Sequence, residues 1–369
     1  MKFAVLEYTS KSGRIWRHTD ERPNYLADPQ QEIDATSFGC YVSALKGEHI
    51  PLVGLILGPV NPVNPITVAY RKIVKRVTGN WPSRYSLNYL TQFDVLLVVH
   101  QLSDAHELTA FITRIKQQPN APLIIGVPTQ PFGIIREAIK QESRHQENLI
   151  DFMHACDVFI SIVKSTVPWY KKHTDTPVEY MPQPYPVTYA SSHFKSLSAK
   201  DNILFIAGVT ERANIKKGQL VARQLQRRFP TLKIHVTRIA GAKLDLRALK
   251  GSKVEIQEFQ PWQEHLSYLS KVRLVINTDY TFTRGRVQVD CAAVGTPSLG
   301  ANSDAQHDLF PGLPGDEADS VERLLELAKP LLIENNTYNR TVNIARHELD
   351  KYNYARSAQR MKQIVATYT

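Results

Sequence analysis

Hydrophobic and polar positions alternate along this chain in blocks, and each block has the length of a strand or of a helix. Short, largely apolar runs predict buried strands over 2–8, 51–57, 95–100, 123–127 and 158–163. Between them, apolar residues spaced three and four apart predict helices over 105–117 and 137–154. The alternation then pauses. The tract PVTYASSHFKSLSAK is rich in Ser and Pro, carries no sustained apolar period and reads as a linker over 186–201. Beyond it the blocks restart, with strands over 203–207, 233–237, 254–257 and 274–277 and helices over 218–228, 263–270 and from Arg286 onward. The chain closes with helix-compatible stretches over 320–332 and 342–365. Strand–helix repetition of this kind builds parallel sheets covered on both faces. The expected organisation is therefore two α/β domains, 1–185 and 202–341, joined by 186–201, with 342–369 long enough to reach from the second domain back towards the first.

Length agrees with that division: 369 residues with 43% hydrophobic content exceed one ordinary core and suffice for two. No apolar run approaches a membrane span, and Met1-Lys2-Phe3-Ala4-Val5-Leu6 enters a strand directly without a signal-peptide pattern, so a cytoplasmic location is expected. Cys40, Cys156 and Cys291 are odd in number, widely spaced and mostly set among apolar or small residues, which predicts buried free thiols rather than disulfides or a zinc site. A net charge of +10 favours anionic ligands or a polyanionic surface, and leaves nucleic acid and anionic membrane both open. Walker-type, GxGxxG and GxSxG motifs are absent, which argues against a standard nucleotidase, dehydrogenase or α/β-hydrolase.

The chemistry concentrates in VINTDYTFTRGRVQVDCAAVGTPSLG, residues 275–300. A strand leads into a polar loop holding Asp279, Arg284 and Arg286, and a helix of small residues carries Asp290 and stops at Gly295-Thr296-Pro297. An acid there can accept hydrogen bonds from ribose hydroxyls or merely complement the helix dipole. Upstream, the strand ending at Ala207-Gly208 leads through Arg212 to Lys216-Lys217-Gly218, where cations meet a helix start. Such an arrangement suits a diphosphate, although an exposed charged loop has the same composition. In open α/β sheets ligands bind outside the carboxyl ends of the strands, so two such domains would present a cleft between two sets of loops.

On these residues the chain resembles the GT-B glycosyltransferases, and within them the retaining type of glycosyltransferase family four. Gly208 with Lys217-Gly218 resembles that family's Gly–Arg loop and Lys–Gly helix start, whose cations hold the donor diphosphate. DCAAVGTP resembles its Glu-Ala-x-Ala-x-Gly-x-Pro element, whose acid binds the ribose. VEIQEFQPWQEHLSYL, residues 254–269, resembles the strand and helix that border the nucleotide base, and Val95 to His100 resembles a strand bringing a histidine to the cleft. The resemblance implies two Rossmann-like, doubly wound domains facing across a cleft and a hexosyltransferase-like activity. It implies no cofactor beyond a nucleotide-sugar co-substrate of unknown base. Two positions depart from the pattern: Phe282 stands where the family carries a second acid, and Val209 where it carries an arginine. Asp279 and Arg212 would have to replace them, and Arg284 and Arg286 could pair with a phosphate or a carboxylated sugar or form salt bridges.

The expected catalytic residues are thus His100, Asp279, Arg212 and Lys217. Gly208, Arg212, Lys216, Lys217, Arg284, Arg286 and Asp290 are expected at the donor, and Ser12, Gly13, Arg14 and Thr129 at the acceptor. No two aspartates stand one residue apart, so a metal-independent reaction is expected. Over 66–78, a turn of about 100° per residue places Arg71, Lys72, Lys75 and Arg76 in one stripe that suits an anionic membrane, nucleic acid or plain solvent. The acceptor would be lipid-linked, a polysaccharide or a small molecule. Two alternatives stay open: a transferase acting on DNA or RNA, with Trp16 and Trp81 in the contact surface, and a non-catalytic binding or scaffold protein that lost its donor acid at Phe282.

Overall fold

The computed structural model describes residues 1–8, 39–52, 69, 73, 76, 77, 87–207, 214–238, 245–258 and 260–369. They form two compact units. The first comprises 1–130, 134–184 and 354–369, and the second comprises 131–133 and 185–353.

The first unit holds a six-stranded sheet of β1 (Phe3–Tyr8), β2 (Glu48–Leu52), β3 (Val95–His100), β4 (Leu123–Pro128), β5 (Val158–Ser161) and β6 (Val178–Tyr180). Its order is β2-β1-β3-β4-β5-β6, and every pairing is parallel. All six residues of β3 are buried, as expected for a central strand covered on both faces. The strand expected over 51–57 starts earlier, at Glu48. Its polar His49 is buried because Nε2 meets the buried Glu7 carboxylate of β1 at 2.9 Å, a pairing that a hydropathy pattern hides. Residues 53–57 lie outside the described residues. The helix expected over 137–154 is two helices, Phe132–Gln141 and Arg144–Ala155, because Gln141, Glu142 and Ser143 are exposed and gain nothing from packing. β6 escaped the sequence pattern, being only three residues long.

The second unit holds β7 (Ile203–Ala207), β8 (Lys233–Arg238), β9 (Val254–Glu258), β10 (Leu274–Asn277) and β11 (Ser298–Leu299), ordered β11-β10-β7-β8-β9 and again wholly parallel. From β7 the chain runs outward to β8 and β9, then returns to place β10 on the other side of β7. The order therefore reverses between β7 and β10, the place where open α/β sheets open a crevice for ligands.

Two segments differ from the sequence reading. The expected linker, 186–201, is built into the second unit. Its helix Val187–Ser191 packs on the helix Arg286–Val294, Lys195 N donates to Val294 O, and Lys200 Nζ donates to Val294 O at 2.9 Å and Thr296 Oγ1 at 2.7 Å. Burial pushes the Lys200 ammonium down to about 7. The closing helix over 342–365 is also broken, into Asn335–Glu348 and Tyr354–Tyr368, with a short turn at Leu349–Tyr352 between them. The last helix belongs to the first unit, packs on Gly39–Leu45 and ties Arg360 and Tyr368 to Glu179 at 2.7 and 2.8 Å.

All three cysteines are buried free thiols. Among the described residues no helix is long and apolar enough to cross a membrane.

Candidate functional site

Where the strand order reverses, between β7 and β10, stand the start of the helix that follows β7 and the loop that follows β10. After β7, Asn214 caps the helix Ile215–Arg228: its Oδ1 accepts from Lys217 N at 3.1 Å. Asn214 is fastened to the end of β10, since its amide donates to Thr278 O and its carbonyl accepts from Thr278 Oγ1, both at 2.9 Å. The start of this helix is thereby fixed beside the β10 loop. Lys216 is exposed. Lys217 lies 5.2 Å from the Tyr280 ring centroid and donates Nζ to Glu317 O at 2.5 Å. The Tyr280 hydroxyl is buried without a hydrogen-bond partner among the described residues. Burial, with Asp319, Asp316 and Glu317 adding to it, raises that phenol above its ordinary range.

The loop after β10 is self-braced. Asp279 N donates to Asn277 Oδ1, and Asp279 Oδ1 accepts from Thr281 N at 3.0 Å and Thr281 Oγ1 at 2.5 Å. Asn302 Nδ2 donates to Tyr280 O at 3.1 Å. Phe282 has a left-handed backbone, φ +52°, uncommon for a bulky residue. Gly133 N and Phe132 N donate to the carbonyls of Thr281 and Phe282 at 2.8 and 3.4 Å, which holds the turn in that shape. At φ +79°, Gly285 starts the next helix where a Cβ would stand 2.3 Å from Ala305 Cβ, so no other residue fits.

That helix, Arg286–Val294, carries Asp290 inward, and its carboxylate is occupied. Oδ1 accepts from Tyr185 OH at 2.7 Å, Trp262 Nε1 at 2.9 Å and Arg286 Nε at 3.1 Å, and Oδ2 is also 3.1 Å from Arg286 Nε. The Arg286 guanidinium carbon is 5.0 Å from the Trp262 centroid and 5.6 Å from that of Tyr185. Burial, followed by the Asp290 charge, pushes the Tyr185 phenol well above its usual range. On the other side of the helix a buried polar chain braces it: Gln288 meets Ser303 and Ser298, and Gln306 meets Ser298.

Of the expected site residues, the second unit holds Lys216 and Lys217 at the start of the helix after β7, and Asp279, Arg284, Arg286 and Asp290 on the loop and helix after β10. Gly208, Arg212, Ser12, Gly13, Arg14, Arg71, Lys72 and Lys75 lie outside the described residues, as do Trp16 and Trp81; Arg76 is described and exposed. The structure places His100 in the first unit. It closes β3 as expected, but its ring is buried in the first unit, 4.2 Å from Phe152, and Nδ1 meets Gln101 O at 3.2 Å. Burial lowers its pKa to about 4, which favours the neutral imidazole. Thr129, expected at the acceptor, spends its hydroxyl on His100 O at 3.2 Å. Sequence reasoning missed Tyr185, Trp262 and Tyr280; the Pro261-Trp262 pair at a helix start was the one local signal.

No family model matches the chain, and no curated protein matches it. Solved structures do. Sucrose-phosphate synthase from Thermosynechococcus elongatus aligns at TM-score 0.62 and 12% identity over 100% of this chain and 99% of its own. The α,α-trehalose 6-phosphate synthase from Burkholderia multivorans aligns at 0.60 and 10% over 99% and 96%. UDP-GlcNAc 2-epimerase from Neisseria meningitidis, bound to UDP-GlcNAc, aligns at 0.54 and 11% over the whole of both chains. At such identities the likeness is one of fold, and that fold is GT-B, with two parallel-sheet units.

Proposed function

We propose that this chain is a metal-independent glycosyltransferase that binds a nucleotide sugar at the β7–β10 crevice and passes the sugar to a lipid-linked, polysaccharide or small-molecule acceptor. One observation carries the reading: Lys216 and Lys217, in the first turn of the helix after β7, and Arg284 and Arg286, at the end of the β10 loop and the start of its helix, follow the two strands between which the strand order reverses. Neighbours of the same fold include two synthases that make sugar phosphates and an epimerase bound to UDP-GlcNAc, which supports a nucleotide sugar as the ligand.

Breaking a sugar–diphosphate bond develops negative charge on the leaving group and an oxocarbenium-like sugar, so stabilising the diphosphate is the chief demand on the protein. Lys217 would supply charge from a fixed helix start, because Asn214 holds that helix to the end of β10. Asp279, already braced by Thr281, would face the positive side of the sugar in place of the acid absent at Phe282. A lipid-linked acceptor accords with the basic stripe of which Arg76 is the described member.

Phe282 motivates a second reading, a protein of this fold that binds nucleotide sugars without transferring them. Calorimetric titration with a panel of nucleoside diphosphate sugars, coupled to a slow-hydrolysis assay, decides between the two. Under the transferase reading one donor binds, is slowly hydrolysed, and is lost by Lys217→Ala. Binding without turnover in the presence of any acceptor glycan or lipid favours the second reading. No binding at all removes the donor site and moves nucleic acid ahead, to be read from salt-dependent oligonucleotide binding.

A further inference from the structure

In the fold's expected use, the helix acid after β10 accepts the ribose hydroxyls of the donor. The surroundings of Asp290 assign it another task. Its residue is 4% exposed, and Oδ1 already accepts from three protein donors: the Tyr185 hydroxyl, the Trp262 indole and Arg286 Nε. A carboxylate offers about four lone-pair sites, and Oδ2 is shared with Arg286 as well. Three donors fill three of these sites, so the two hydroxyls of a ribose could not both donate to Asp290 without displacing one of them and leaving a protein donor unsatisfied. Arg286, by contrast, keeps 24% of its side chain accessible. Two rings meeting at 84° border its guanidinium, and it stands on the first residue of a helix that begins at the crevice.

We propose that Asp290 is a positioning residue that orients Arg286, and that Arg286 meets the donor through its diphosphate. The ribose hydroxyls then go unread at this helix. The substrate class widens accordingly: deoxyribonucleoside diphosphate sugars bind on equal terms with ribonucleoside ones. This inference rests on the donor-site reading above, and narrows it to one charge-on-charge contact in which the acid acts through the arginine.

The experiment is calorimetric titration of the wild-type protein with UDP, ADP and GDP, each in its ribo, 2′-deoxy and 2′,3′-dideoxy form. For whichever base binds, the three forms are expected within about threefold of one another. A loss of about tenfold or more on removing the hydroxyls, about 1.4 kcal/mol, returns Asp290 to the ribose and overturns the inference while leaving the donor site standing. If no ribonucleoside diphosphate binds, the donor site itself falls and the inference with it. As a second readout, Arg286→Met and Asp290→Asn should each weaken diphosphate binding about tenfold without weakening the uncharged nucleoside, and the double variant should lose no more than either. Asp290→Asn weakening binding while Arg286→Met does not would also overturn the assignment.

Discussion

His100, at the end of β3, and Asp290, in the helix that follows β10, are both buried ionisable groups, and the protein handles them in opposite ways. His100 is set against Phe152 and Phe159 with one backbone carbonyl for company, and its Nε2 finds no hydrogen-bond partner among the described residues. The low-dielectric surroundings therefore favour the neutral ring. Asp290 is given a counter-charge and two aromatic donors. The difference shows that a buried ionisable residue is no index of chemistry by itself. A group surrounded by carbon has been silenced by burial, whereas a group wired to an arginine is part of an electrostatic arrangement.

The sharpest way to break the comparison is to remove the wired group. Asp290→Ala strands a part-buried guanidinium, a buried hydroxyl and an indole N–H together, and should cost about 3–5 kcal/mol in urea unfolding. A loss below about 1 kcal/mol would mean that the cluster is not held as described. The silenced group predicts a pH effect instead. The folded pKa of His100, about 4, lies below the unfolded value of about 6.5, so the unfolded chain binds more protons between them. The contribution is complete above pH 6.5 and is lost as pH falls towards 4, by about 3 kcal/mol. His100→Leu should remove that slope, and the difference between wild-type and variant stability across pH 4–7 measures it. Equal slopes in the two proteins would mean that His100 is solvated.

The sequence showed where these groups sit but not what they touch. β3 was legible to the residue because VLLVVH is apolar almost throughout, yet for the same reason alternation could not say which way His100 points. The helix ending at Gly295 was legible from Gly-Thr-Pro chemistry, and its φ of +75° is the left-handed stop that glycine favours. The donors to Asp290 were not, since Tyr185 and Trp262 lie 105 and 28 residues away and no local period links them. The tract over 186–201 misled by composition. Its serines and other polar residues read as linker, while Phe194 against Gly295 and Lys200 on Val294 make it a strap over the helix that holds Asp290. Strand and helix follow from short-range pattern, whereas a site is made of long-range pairs.

Lys217 supplies the smallest expected effect on stability and the most informative one about use. Its Nζ binds the carbonyls of Glu317 and Asp316 in an exposed turn. That turn also braces itself, Asp316 N to Asp319 Oδ2 at 2.6 Å and Ala318 N to Asp316 Oδ1 at 3.1 Å. Lys217→Met should therefore cost less than about 1 kcal/mol in urea unfolding, since water can serve the carbonyls and the methionine still covers the Tyr280 ring. If the proposed donor site is right, the same substitution lowers nucleoside diphosphate affinity by at least tenfold, the scale of one charge-assisted contact. A cation that contributes little to folding and much to binding is one held in reserve for a ligand. A loss of 3 kcal/mol or more with binding unchanged would make Lys217 a structural staple like Asp290, and would shift the anion contact wholly to the arginines after β10.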